Sequence, residues 1–265
     1  MTNEIVQYHV SDAIATISLN RPEVANAQNA ELLQRLDELW TAAADDNEVK
    51  VIVLRSNGKH FSAGHDLKAG ADSTDKIVLA DLYDYESKAY VGYSLRWRNI
   101  AKPSIAAVQG RCIAGGLMLA WPCDLIVAAD DAKFSDPVVA MGVGGVEYHG
   151  HTWEFGARLA KEVLFTGRPV TAEEALRVGM VNQVVPRDEL DNSVRQLAAH
   201  IAQQDAFALR MAKRAVNQTL DLQGFTNSVQ AVFDAHSLGH GHALSVSGWP
   251  VLAGLDGMKS AVASK

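Results

Sequence analysis

The hydrophobic pattern changes period several times along the chain, and each change marks an element. Residues 5–10 and 13–19 are short β-type runs separated by Ser11-Asp12, the pattern of a hairpin. Leu32, Leu33, Leu36, Leu39, Trp40 and Ala43 then recur on one stripe, with Glu31, Gln34, Arg35, Asp37 and Glu38 elsewhere, which predicts an amphipathic helix. Residues 49–54, 104–108 and 124–129 are nearly unbroken apolar runs of strand length, as buried strands require. Residues 70–78 read as loop and 79–99 as helix. Strands separated by helical stretches imply crossover connections, hence a largely parallel sheet with helices packed on it. Thr171-Ala172-Glu173-Glu174 is a capping box that opens a short helix, and Gly179 closes it. A brief strand over 181–185 follows, and helical patterns dominate from Leu190 onward. The expected organisation is an α/β core over residues 1–200 and a helical region over 201–265.

Composition narrows the function classes. The 265 residues are 48% hydrophobic and 21% charged, a globular balance that excludes disordered and fibrous chains. A net charge of −7 argues against a general nucleic-acid binder. Cys112 and Cys123 are the only cysteines and sit in no ligand spacing, so neither a disulfide framework nor a structural zinc site is expected. MTNEIVQYHV has no basic-then-apolar segment, and no stretch reaches membrane-spanning length, so a soluble cytoplasmic protein is expected.

Two glycine-containing segments follow buried strands. One is Phe61-Ser62-Ala63-Gly64-His65-Asp66-Leu67; the other is Gly110-Arg111-Cys112-Ile113-Ala114-Gly115-Gly116, which leads into a helix. In parallel sheets ligands gather beyond the carboxyl ends of strands, and glycine lets them approach the backbone. Two such loops on neighbouring strands can aim two amides at one carbonyl oxygen, as an oxyanion hole does. The same glycines also serve plain tight turns.

These residues carry a resemblance. The chain resembles the enoyl-CoA hydratase/isomerase family, the crotonase superfamily, through Leu19-Asn20-Arg21-Pro22, Ala25-Asn26-Ala27 and the 61–68 segment. Lys102-Pro103-Ser104-Ile105-Ala106-Ala107-Val108-Gln109-Gly110, Ala114-Gly115-Gly116 and Cys123-Asp124-Leu125-Ile126 match as well. Leu164-Phe165-Thr166-Gly167 and residues 175–181 complete the series. The resemblance implies a spiral of ββα units, a helical C-terminal region that builds a homotrimer or a hexamer, and an acyl-CoA thioester substrate. Coenzyme A belongs to that substrate, and no separate cofactor is implied. The thioester oxygen would accept from the N–H groups of His65 and Gly115. Ala25, Ala63, Gly64, Asp66 and Leu67 would line the site, and Asp66 would hold the loop because an acid beside an oxyanion opposes its charge. The His65 ring would face solvent or the CoA phosphates. The CoA cations would come from Lys68, Arg21 or a neighbouring subunit's Lys259.

The chain departs from the family pattern where hydratases carry two water-handling glutamates: those positions are Met118 and Val138, which pack a pocket wall. Ordinary hydration would lack its acid and base, each worth roughly a hundredfold or more. Two carboxylates are candidate replacements. Asp136 lies two residues before Val138 on the same face of an extended segment. Glu147, in Gly144-Gly145-Val146-Glu147-Tyr148-His149-Gly150-His151, lies one residue beyond the position where other branches of the family place a catalytic aspartate. Between apolar walls Glu147 would have a raised pKa; alternatively it pairs with His149, His151 or Arg158. His149 and His151 are candidate bases or helix caps, and Tyr148 either donates its phenol to an intermediate or fills space. The implied activity is an isomerase or a specialised hydratase or lyase of fatty-acyl metabolism; the alternative is a non-catalytic acyl-CoA binder or carrier.

His236, His240 and His242 are expected to pack a helix or contact a neighbouring subunit, with no metal, because no carboxylate in sequence completes a site. Tyr83, Tyr85, Tyr90, Tyr93 and Trp97 are expected as core packing, some of them lining an acyl-chain tunnel.

Overall fold

The computed structural model describes residues 4–67, 77–254 and 256–257. The chain opens with a hairpin of β1 (Val6–Ser11) and β2 (Ile14–Leu19), turned by Asp12 and Ala13, which both have positive φ. Helix α1 (Ala30–Asp45) starts at Asn29, whose side chain accepts from the Leu32 amide at 3.0 Å. It returns the chain to β3 (Val51–Ser56), parallel to β2. Helix α2 (Leu79–Glu86), a π-helical segment (Ser87–Gly92) and α3 (Tyr93–Arg98) then lead to β4 (Ser104–Val108).

Strand β5 (Arg111–Ile113), the short helix α4 (Leu117–Ala120), β6 (Leu125–Ala129) and β7 (Lys133–Ser135) follow. Next come α5 (His151–Thr166), β8 (Val170–Thr171), α6 (Ala172–Val178) and β9 (Gln183–Val185). Helices α7 (Leu190–Ala202), α8 (Ala206–Leu222) and α9 (Phe225–Ser247) close the chain. The six-stranded sheet runs β1-β2-β3-β4-β6-β9, parallel from β2 onward, and β5-β7-β8 form a second, small sheet.

Strand alternation divides the interior in two. Ile52, Leu54, Ala106, Val108, Ile126 and Ala128 point to the face covered by the α1 stripe. Their neighbours Val51, Val53, Ile105, Ala107, Val127 and Ala129 point to the other face, where Leu190, Val194 and Ala198 of α7 cover them at four-residue spacing. Both periods were readable in sequence. The capping box at Thr171 and the closing Gly179 are present as expected. Strands β5, β7 and β8 were not foreseen, because two or three residues are too few to show a period.

The 79–99 stretch is three pieces rather than one helix, and its π turn changes which side chains face inward.

Glu154, in the first turn of α5, is half-buried, and desolvation raises its pKa from 4.5 to about 7. An acid with a raised folded pKa destabilises the fold as pH rises from the unfolded value to the folded one. Stability should therefore fall between pH 4.5 and 7 and level off above, by roughly 2–3 kcal/mol. Denaturant titrations at pH 5 and pH 8 should show the wild type losing more stability over that interval than Glu154→Gln, the difference being the Glu154 contribution.

Candidate active site

The two glycine loops meet. Residues 61–66 run on from β3, and Ser62 bridges Cys112 of β5: its amide donates to Arg111 O at 3.1 Å, and its carbonyl accepts from Ile113 N at 3.0 Å. Further along, Gln28 donates to Gly64 O at 2.8 Å and accepts from Asp66 N at 2.9 Å. In a parallel bridge those bonds turn the N–H of the intervening residue, His65, to the opposite side. Gly64 has φ +87°, and a Cβ there would lie 2.8 Å from Ile113 O and 3.2 Å from Gly115 N. Only glycine permits this backbone-to-backbone approach. Gly115 sits in the turn Ala114–Gly116 that opens α4, where an amide has no partner within the helix.

The loop is held by polar side chains buried behind it. Asn26, at φ +53°, donates to Asn57 O and His60 O at 2.9 Å each and accepts from Arg21 N. Ser62 Oγ donates to Asn26 O and accepts from Gln28 Nε2 and Gly64 N. Arg21 Nη1 donates to Ala27 O and to Asp66 Oδ2, so Asp66 anchors the loop as expected. Ala25 and Ala63, joined by a bond from Ala63 N to Ala25 O, are solvent-accessible beside it, as is Leu67. Lys68 and Lys259 lie outside the described residues.

The His65 ring corrects an expectation. It turns inward, neither to solvent nor outward, and lies against Gly115: a Cβ on Gly115 would be 2.8 Å from Cε1, 3.0 Å from Nε2 and 3.1 Å from Nδ1. Its other face stacks on Tyr90 of the π-helical segment, centroids 4.0 Å apart and planes 15° from parallel. Nε2 stands 3.1 Å from Glu147 Oε2. Tyr90 therefore packs the His65 ring, while Trp97 takes the expected core position against Trp40.

Glu147 is buried at 4% exposure, and its partners are His65 and His236 rather than His149, His151 or Arg158. Desolvation pushes its pKa up, as the apolar-wall argument held. Its electrostatic interactions with His65 and His236 and the hydrogen bond from His65 outweigh it, and the carboxyl is held well below its usual range. The expected raised pKa is thus reversed.

Asp136 does not reach the site. It is fully buried behind the 138–146 loop, with Oδ2 taking Val146 N at 2.7 Å and standing 3.0 Å from His151 Nε2. It supports Glu147 only by holding the preceding loop. His149 packs against His151 with centroids 4.5 Å apart and planes tilted by 41°, and burial and that neighbour lower its pKa to about 4. Tyr148 points the other way, into the core near Phe225, where burial pushes its phenol pKa up. It fills space. Met118 is buried in the core cluster and Val138 is half-buried.

The tail histidines also differ from expectation. His242 is exposed, but His236 and His240, four residues apart on one face of α9, meet two carboxylates. Glu86, from the end of α2, and Glu147 complete a buried group of four donors within 4.8 Å of one another. Glu86 had no sequence signal; the four-residue histidine spacing was the only hint. Burial lowers the His236 pKa, yet Glu147 and Glu86 together raise it to about 9.

Comparison with known proteins agrees with this geometry. The profile of the enoyl-CoA hydratase/isomerase family matches residues 9–240. The chain belongs to the enoyl-CoA hydratase/isomerase family. A crystal structure titled a probable enoyl-CoA hydratase from Mycobacterium smegmatis is 67% identical, with a TM-score of 0.91, covering 94% of this chain and 99% of that one. An enoyl-CoA hydratase/isomerase from Xanthobacter autotrophicus Py2 is 30% identical with a TM-score of 0.86, covering 99% and 97%. A Mycobacterium bovis protein named a probable enoyl-CoA hydratase is 36% identical over 225 residues, 83% of this chain and 84% of its own.

Family membership makes the crotonase-type α/β fold a property of the chain. Among the described residues no helix is long and apolar enough to cross a membrane.

Proposed function

We propose that this family member is an enzyme that forms an enolate from an acyl-CoA thioester. The thioester oxygen sits between the N–H groups of His65 and Gly115, and a Glu147–His65 dyad moves the proton. The observation that carries this reading is the 3.1 Å contact between His65 Nε2 and Glu147 Oε2, with the same ring lying on Gly115. Glu147 accepts from Nε2–H, which leaves Nδ1 as the imidazole acceptor beside the Gly115 amide. Nδ1 is buried with no hydrogen-bond partner among the described residues. It takes a proton from the carbon next to the thioester, and the carboxylate offsets the charge that the ring gains. The two amides hold the oxyanion.

This chemistry suits isomerisation or a specialised hydration or lyase reaction. Simple hydration needs a second group for water, and Met118 and Val138 at the family's glutamate positions offer none. Assembly into a homotrimer or a dimer of trimers is part of the proposal; the exposed apolar side chains Leu222 on α8 and Leu238 and Val246 on α9 support it.

The test uses two reactions. In deuterated buffer the protein should exchange the α-proton of a saturated acyl-CoA, read by mass spectrometry. With crotonyl-CoA and longer trans-2-enoyl-CoAs the conjugated absorbance should fall slowly or not at all. Hydration at the rate of ordinary hydratases would overturn the assignment of the dyad. Binding of acyl-CoA with no exchange would leave a carrier in place of an enzyme.

A further inference from the structure

Three of the donor atoms around α9 are orphaned. Glu86 Oε2, His236 Nε2 and His240 Nε2 are buried and, among the described residues, make no hydrogen bond of ordinary geometry. The separations are 3.4 Å for His240 Nε2 to Glu86 Oε1, 3.6 Å for His236 Nε2 to Glu86 Oε2, and 3.4 Å for His236 Nε2 to Glu147 Oε1. These exceed the usual N–H···O range of about 2.7–3.2 Å. These three separations fall in the range of a tetrahedral edge, about 3.3–3.6 Å for ligands about 2.0–2.2 Å from a common centre, and the whole group, one atom per residue, lies within 4.8 Å, so small side-chain shifts would close it on an ion.

The outer contacts fit as well. His236 Nδ1 lies 2.7 Å from Gly145 O, and His240 Nδ1 lies 2.6 Å from Pro250 O. A carbonyl can only accept, so both Nδ1 atoms carry hydrogen and donate. In the neutral ring that leaves each Nε2 with its lone pair aimed at the carboxylates, the orientation in which histidine ligates metals. Lone pairs facing carboxylates repel unless a proton or a metal cation lies between them, and a metal ion can replace the protons that the rings otherwise carry. Two carboxylates and one divalent cation are neutral together.

We propose that Glu86, Glu147, His236 and His240 form a binding site for a first-row divalent metal ion, with zinc the best fit to two imidazoles and two carboxylates. The ion ties α9 and the end of α2 to the 145–147 loop. It also takes Glu147 through Oε1, which leaves Oε2 on His65. The site does not rest on the thioester reading, and its test involves no thioester.

Untagged protein is stripped with chelator, dialysed, and titrated with Zn2+ by calorimetry, and the metal content of undialysed protein is measured by mass spectrometry. One equivalent per chain should bind, and Zn2+ should raise the melting temperature. His240→Gln and Glu86→Gln should each weaken binding at least a hundredfold and abolish the thermal shift, while His242→Gln, which alters an exposed histidine outside the cluster, should match the wild type. Cobalt(II) in the wild-type site should show the intense visible absorption of low-coordinate cobalt. Absence of saturable binding, or equal binding by all three variants, would refute the site and leave four paired ionised side chains. Circular dichroism on each stripped variant separates lost binding from lost fold.

Discussion

Replacing Glu147 with glutamine should lower turnover of an acyl-CoA thioester by about 10²–10⁴-fold, the range of a positioned acid–base group. The amide is nearly the same size as the acid, and its oxygen can still accept from His65 Nε2, so the ring should keep its place on Gly115. What disappears is the negative charge behind an imidazole that becomes cationic as it takes the proton. Thioester binding should therefore persist while the α-proton exchange rate collapses. His65→Ala should cost a similar factor, because it removes the atom that meets the substrate. The double variant is the decisive measurement. Residues acting as one unit are strongly non-additive, so His65→Ala/Glu147→Gln should be little slower than either single change. Losses that multiply would mean that the two residues act separately, and the dyad would have to be abandoned.

Much of the scaffold was legible because its signals are local. A four-residue stripe such as Leu32-Leu36-Trp40, or a run such as 104–108, follows from the geometry of a single element, as do the capping box at Thr171 and the turn at Gly179. The two glycine loops were also visible, although their spacing suited plain tight turns equally well and the family resemblance is what singled them out as amide donors. The side-chain chemistry was not. His65 and Glu147 are 82 residues apart, and the bond between them depends on a loop held by Asp136, itself tied to His151. The argument for a raised Glu147 pKa used apolar walls such as Met118 and Val138 and could not include His236, which arrives from α9. Nor did any pattern mark Glu86. The π turn after it, rather than continuous α-helix, sets the facing of Tyr90, and a shift of that kind leaves no trace in apolar periodicity. A family resemblance supplied the backbone donors; only tertiary structure supplied their partners.

Gly115→Ala is the second change expected to act strongly, by a route that separates site geometry from fold. The backbone at Gly115 is not in the left-handed region, so alanine brings no conformational strain there. Its methyl would instead fall 2.8–3.1 Å from three atoms of the His65 ring. That ring cannot simply lift, because Tyr90 stacks on its far face at 4.0 Å. It must swing aside on its flexible side chain, which takes Nε2 away from Glu147 and puts the added methyl beside the Gly115 amide, where the thioester oxygen is proposed to bind. Loss of one oxyanion donor alone costs roughly 10²–10³-fold, about 3–4 kcal/mol. Turnover should fall by at least that much, with the melting temperature near the wild-type value. Gly64→Ala should behave differently: at φ +87° and 2.8 Å from a backbone carbonyl it has nowhere to move, so it should unfold the loop and lower the melting temperature. A second change tests the clamp itself. Tyr90→Leu in the Gly115→Ala background opens space on the far face of the ring and should restore part of the lost rate. If Gly115→Ala turned over thioester at the wild-type rate, the ring on Gly115 would have no part in the reaction, and the amide pair would not be where the thioester oxygen binds.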